Sequence, residues 1–170
     1  MDVSAIGADV LAAAMNIKLL LMDCDGVLTD GRLYFSAAGE ELKVFHVRDG
    51  QGLVSWHRAG LKSGIISGRG AGEIIKRRAA ELGIEFVRTE SPDKTKEFFE
   101  IIEAAGVSAS ETAYVGDDIG DIEIMKLVGL PIAVADAVDK VKAAAMCVTQ
   151  AAGGHGAVRE VTDLLLDRLS

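Results

Sequence analysis

Short apolar runs that stop abruptly at glycine or acidic residues recur along this chain, and the intervals between them carry helical periodicity. That alternation restricts the chain to a parallel α/β architecture. Strands covered on both faces read as continuous Val/Ile/Leu runs, whereas a half-solvated sheet alternates apolar with polar. The runs at 18–22, 62–66, 85–87, 112–115, 131–134 and 145–148 are the expected strands. Helices are expected over 50–59, 72–82, 94–105, 119–127 and 138–143, and Gly60, Gly83, Gly106 and Gly129 each close an apolar-periodic segment. The expected fold is a Rossmann-like parallel sheet with helices on both faces. It is expected to form one domain over 1–170, because a chain of 170 residues holds one core comfortably and two poorly. Aromatic residues make up only 5% of it, so aliphatic side chains must build that core.

One segment breaks the alternation. Residues 32–47, RLYFSAAGEELKVFHV, contain two β-prone runs around Ala37-Ala38-Gly39-Glu40 and read as a hairpin standing off the sheet. The segment is too small for a cap domain. An isolated hairpin is marginal in water, so Leu33, Phe35, Leu42, Val44 and Phe45 are expected to bury one face against another subunit. The opening residues hold Asp2 and Asp9 and lack a basic stretch, which fits a short helix leading into a strand and not a targeting segment.

No apolar run reaches the roughly 20 residues a membrane span requires. The net charge of -8 argues against a general nucleic-acid or anionic-membrane binder, which needs a basic stripe. Cys24 and Cys147 form neither a C-x-x-C pair nor a zinc-spaced cluster, so a reducing, cytoplasmic setting is expected.

In an open parallel sheet the ligand crevice lies at the carboxyl ends of the strands. Those ends are unusually polar here: Asp23-Cys24-Asp25-Gly26, Ser67-Gly68-Arg69 and Gly116-Asp117-Asp118, with Asp121 one turn on and Lys94 opening an intervening helix. Carboxylates converging on one edge repel unless a cation sits among them. Magnesium suits a site with few protein carboxylates, because it keeps waters and shares phosphate oxygens. With a cationic residue, a hydroxyl and backbone amides nearby, the inventory matches phosphoryl transfer. In D-x-D one aspartate can meet phosphorus in line while the other serves as general acid and then activates water, provided the chain turns at Gly26.

The order D-x-D-G-V-x-T-D, an apolar strand ending S-G-R, an isolated Lys, and G-D-D-x-x-D resembles the haloacid dehalogenase superfamily of phosphatases. Within it the chain is most similar to the capless 3-deoxy-D-manno-octulosonate 8-phosphate phosphatase family, which serves lipopolysaccharide synthesis. The segments DGVLTDGRLYF, GEELKVFHVRDG, ISGRG, GDDIGDIEIM and GGHGAVREV carry the likeness. The resemblance implies that Asp23 is the nucleophile and Asp25 the acid/base. It implies Mg²⁺ held by Asp23, the backbone carbonyl of Asp25, and Asp117, with Asp118 or Asp121 in support. Ser67 would bind the phosphoryl group and Lys94 would neutralise it. Gly68, Arg69 and Arg77 would lie near the substrate, a phosphorylated sugar acid whose carboxylate suits a guanidinium. It further implies a homotetramer built through the hairpin, and a tail over 153–170 whose Gly153, Gly154, His155 and Gly156 reach a neighbour's active site. On that reading the tail is dispensable for folding. Ser67 stands where the family usually has Thr, and Ser91-Pro92-Asp93-Lys94 departs from the commoner Gly-containing segment, so the place of Lys94 rests on spacing.

His46 and His57 have no metal partner nearby in sequence and are expected to be structural, and Trp56 to pack its helix against the sheet or the interface. Two other functions fit parts of the pattern. A phosphatase for a nonulosonate 9-phosphate shares the chemistry, although Arg69 after Ser-Gly leans against it. A phosphorylation-receiver domain, or a non-catalytic relative, also gathers acids, a hydroxyl and a lysine, but a receiver places its acidic pair first and its acceptor later.

Overall fold

The computed structural model describes residues 7–70 and 72–168. Its strands are β1 (Leu19–Met22), β2 (Tyr34–Ser36), β3 (Gly39–Leu42), β4 (Lys62–Ile66), β5 (Phe86–Arg88), β6 (Thr112–Gly116), β7 (Leu130–Ala133) and β8 (Cys147–Val148). Six of them form a parallel sheet in the order β5-β4-β1-β6-β7-β8, and β2 with β3 forms a separate antiparallel hairpin. Every residue of β1, β6 and β7 is buried, so both faces of the central sheet are covered, as the continuous apolar runs require.

β1 lies between β4 and β6, with Leu19 paired to both Lys62 and Thr112. From β1 the chain builds one side of the sheet through β4 and β5, then crosses to build the other through β6, β7 and β8. The order therefore reverses beside β1, and a crevice opens there at the carboxyl ends.

The helices are α1 (Ala8–Ala14), α2 (Val47–Arg58), α3 (Gly72–Leu82), α4 (Lys94–Ala105), α5 (Ile122–Met125), α6 (Asp139–Ala144) and α7 (Ala157–Asp167). The part of the expected opening helix at 1–6 lies outside the described residues. Local chemistry moves several boundaries. α2 starts three residues before the expected Gly50, because His46 caps it by accepting from the Arg48 amide at 3.3 Å. The helix expected over 119–127 divides into a 3₁₀ turn at Ile119–Asp121 and the short α5, because Asp118 and Asp121 cap the turn reciprocally. The last strand shrinks to two residues.

The largest correction concerns the tail expected to be dispensable for folding. Its described part, 153–168, is anchored to this chain, and α7 is one of its core helices. Val158, Val161, Leu164 and Leu165 recur at helical spacing and are 0–3% exposed. α7 packs on α2, where Asp49, 1% exposed, accepts the amides of Arg159 at 2.8 Å and Gly156 at 3.2 Å. Burial holds the Asp49 carboxyl above its ordinary range, and these amide bonds oppose the shift. Removing the segment would open the core and strand a buried carboxylate, so it is not dispensable for folding.

Trp56 is fully buried and donates to the Lys62 carbonyl at 2.7 Å, tying α2 to β4. His57 spans Ser63 at 2.7 Å and the Leu82 carbonyl at 2.9 Å, and burial lowers its pKa, a structural role as expected. Among the described residues no helix is long and apolar enough to cross a membrane.

Candidate active site

A cavity of about 320 Å³ opens at the switch point, lined by Asp23, Asp25, Ser67, Gly68, Arg69, Lys94, Asp117, Asp118 and Asp121 among others. Every residue expected to act there is in this lining except Arg77. β1 delivers Asp23, β4 delivers Ser67, β6 delivers Asp117, and Lys94 begins α4, whose N-terminus is capped by Asp93 accepting from the Thr95 and Lys96 amides.

Asp23 is 9% exposed; its Oδ1 accepts the Cys24 amide at 2.7 Å and its Oδ2 lies 3.0 Å from Lys94 Nζ. The same ammonium donates to Asp121 Oδ1 at 2.8 Å. Asp121, fully buried, also accepts from the Tyr114 hydroxyl at 2.7 Å and from the amides of Asp117 at 3.0 Å and Asp118 at 3.3 Å. It fixes Lys94 and the β6 turn together. Asp118 is exposed at the rim and accepts the Ile119 amide.

The turn after β1 depends on glycine. Gly26 has φ +91, and a Cβ there would overlap the Asp117 carboxylate. This close approach brings the β6 carboxylate over the D-x-D turn. Gly153 and Gly154 support the turn from below. Gly154 donates to the Val27 carbonyl at 2.9 Å, and a Cβ on it would come within 2.5 Å of the Asp30 nitrogen, at a φ of +67. Gly153 lies against the Gly26 carbonyl and donates to Asp136 at 2.9 Å. Gly153 and Gly154, expected at a neighbour's site, therefore pack under their own chain's turn and Gly156 donates to Asp49, while His155 is exposed and its ring meets the Gly153 carbonyl at 2.8 Å.

Arg77 is the second correction. α3 turns Ile75, Ala79 and Leu82 toward the sheet, so Arg77 faces outward and is exposed. Its neighbour Arg78 turns inward instead, 5.8 Å from the Phe45 ring centre. Arg69 stays at the rim with Nε 3.9 Å from Asp25 Oδ2. Cys24 is buried in the core, and Cys147 is half-buried, its thiol pushed up to about 11 by burial.

Oxygens of Asp23, Asp117 and Asp121 lie within 4.8 Å of one another. Burial, then the charges of Asp23 and Asp121, push Asp117 up to about 8. Burial and Asp121 push Asp23 up to about 6 against the opposing Lys94. Burial alone would lower the Lys94 ammonium, but Asp23 and Asp121 outweigh it and hold it above its usual value. Asp117 Oδ1 is buried without a hydrogen-bond partner. Clustered, desolvated carboxylates with an unbonded inward oxygen fit a hard divalent cation.

Sequence reasoning missed two further residues. Lys43 reaches Asp25 Oδ1 at 2.5 Å, and Tyr114 is buried on Asp121, which with burial raises its phenol well above the ordinary value. Neither lies in the polar strand ends that drew attention.

The sequence profile of the haloacid dehalogenase-like hydrolases matches residues 57–161. The chain is 45% identical over 161 residues to the 3-deoxy-D-manno-octulosonate 8-phosphate phosphatase of Escherichia coli K12, covering 95% of this chain and 85% of that one. The crystal structure of the Yersinia pestis phosphatase of the same name superposes with a TM-score of 0.93 at 41% identity, covering 96% of this chain and 88% of that one. The Moraxella catarrhalis phosphatase, solved with magnesium, phosphate and KDO, gives 0.90 at 36% identity, covering 94% and 91%.

Proposed function

This chain belongs to the haloacid dehalogenase-like hydrolases and, within them, to the 3-deoxy-D-manno-octulosonate 8-phosphate phosphatase family, and we propose that it hydrolyses that phosphomonoester to the free sugar acid and phosphate. The observation that carries the reading is the pairing of Asp23, just after β1, with Asp25, which begins the following turn, both lining a cavity that also holds Lys94, Ser67 and Arg69. The likeness to a phosphatase solved with magnesium, phosphate and KDO supports both substrate and metal.

Asp23 attacks phosphorus and becomes an aspartyl phosphate, with Lys94 orienting it and offsetting the phosphoryl charge. Asp25 protonates the departing sugar oxygen and then takes a proton from the water that hydrolyses the intermediate. The Ser67 hydroxyl and the Gly68 amide bind a phosphoryl oxygen, and Arg69 at the rim meets the sugar-acid carboxylate. Asp23, the Asp25 carbonyl and Asp117 would hold Mg²⁺, with Asp121, whose oxygen lies with those of Asp23 and Asp117, in support. The metal, when bound, supplies neutralisation of phosphoryl charge.

The whole chain, 1–170, acts as one phosphatase domain, cytoplasmic and in lipopolysaccharide precursor synthesis. A homotetramer built through the hairpin is supported by its apolar residues, since Phe35 is 64% exposed and Leu42 51%. The test is phosphate release with Mg²⁺ from a panel holding the octulosonate 8-phosphate, a nonulosonate 9-phosphate and hexose phosphates. Preference for the first is expected; a flat profile would overturn the substrate assignment, and no release from any would overturn the activity.

A further inference from the structure

Lys43 directly follows β3, and its side chain is fully buried while its neighbours Leu42 and Val44 are about half exposed. Ordinary patterning does the reverse, because an ammonium is costly to desolvate and leucine is not. A buried ammonium persists where a partner compensates it. Here Nζ lies 2.5 Å from Asp25 Oδ1. The two oxygens of Asp25 are thereby made unequal. Oδ1 is held by a charged donor, whereas Oδ2 has no hydrogen-bond partner and belongs to a residue lining the cavity.

A carboxylate torsion is broad and roughly two-fold, so an unrestrained Asp25 would spread its oxygens over many directions. The other cations of the site are poorly suited to restrain it. Lys94 is engaged by Asp23 and Asp121, and the Arg69 side chain is 46% exposed with Nε 3.9 Å from Oδ2. From this geometry we infer that Lys43 is a positioning residue: it pins Oδ1 so that Oδ2 is the atom aimed at the leaving oxygen. The inference rests on the phosphatase reading. In the first half-reaction the phosphorus–sugar oxygen bond breaks as the phosphorus–Asp23 bond forms, and the proton on Asp25 Oδ2 passes to the departing oxygen. In the second, water adds to phosphorus, the bond to Asp23 breaks, and Oδ2 takes the water's proton.

The test uses the full chain as Lys43→Met and Lys43→Arg, each checked for an unchanged fold by circular dichroism. Steady-state kinetics are measured with the best sugar phosphate of the panel. Nitrophenolate release from 4-nitrophenyl phosphate is followed with enzyme in excess, because that leaving group departs as an anion and needs no proton to phosphorylate Asp23. For Lys43→Met, kcat with the sugar phosphate is expected to fall roughly 100-fold, with KM and nitrophenolate release changed by less than about threefold. Lys43→Arg is expected to recover about tenfold of the loss. An unchanged kcat, a parallel loss with both substrates, or no recovery in Lys43→Arg would each overturn the role of Lys43. A wild-type chain inactive on every phosphomonoester would overturn the phosphatase reading itself, and an active wild type matched by Lys43→Met would overturn only the inference.

Discussion

The carboxyl edge of the sheet and the β2–β3 hairpin depart from an ordinary protein surface in opposite directions. The edge buries charge, with Asp23 at 9% exposure and Asp121 at 0%, whereas the hairpin leaves Phe35 at 64%. Each departure costs free energy in the isolated chain. The costs are met in different places. Asp121 finds Lys94, Tyr114 and two backbone amides within its own chain, so the edge is preorganised before any ligand arrives. The hairpin's Phe35 and Leu42 instead stay open to solvent, uncovered by the described residues of the chain. Lys43 joins the regions, because the residue that ends the hairpin turns its charge into the edge.

This contrast can be broken at four points. At the edge, Asp23→Asn is expected to lower phosphate release by on the order of a thousandfold or more while circular dichroism stays unchanged. Activity within about tenfold of wild type would remove the nucleophile. Beneath the edge, Gly154→Ala would press a Cβ against the backbone of Thr29 and Asp30 and shift the turn carrying Asp25. It is expected to lower kcat roughly 10- to 100-fold with KM little changed, and unaltered kinetics would show that the glycine support is not part of the catalytic geometry.

The third point is the pH dependence of the metal-free chain. Asp117 and Asp23 are raised to about 8 and about 6 from an ordinary 3.8, so the folded state holds these protons more tightly than the unfolded chain. Their contribution to stability is full below about pH 4 and is lost as pH rises toward 8. Mg²⁺ binding at these carboxylates is expected to offset that loss. The rise in Tm on adding saturating Mg²⁺ is expected to be larger at about pH 8.5 than at about pH 6, by roughly 3 °C or more. Equal increments would take the metal away from this carboxylate group.

At the hairpin, Phe35→Ser with Leu42→Ser is expected to shift the unfolding free energy of the protomer by less than about 0.5 kcal/mol. Light scattering should nevertheless show a smaller assembly. An unchanged mass would leave the hairpin without its assembly role, and a large loss of protomer stability would show that it packs on its own chain.

Much of the fold was legible because burial on both faces of a parallel strand suppresses polar residues until the strand ends. The same rule exposed Asp23, Ser67 and Asp117, since a polar cluster that ends a buried run sits at the sheet edge. Arg77 misled because a run of three basic residues does not say which of them faces the sheet; the phase of Ile75 and Ala79 could have told it. The helix at Ala157–Asp167 was also readable from its Val and Leu spacing, but the glycine segment before it suggested a free tail.

The sequence by itself determined the sheet and the polar character of its carboxyl edge, because these depend on local periodicity and on residue types at strand ends, and its motifs carried the likeness to the family. Only the tertiary structure decided that Gly153 and Gly154 seat the turn after β1 of their own chain, that Asp49 caps α7, and that Lys43 turns inward to Asp25. Those contacts join residues far apart in the chain through close backbone approach and side-chain direction. Neither leaves a periodic trace, because each is set by how whole elements pack.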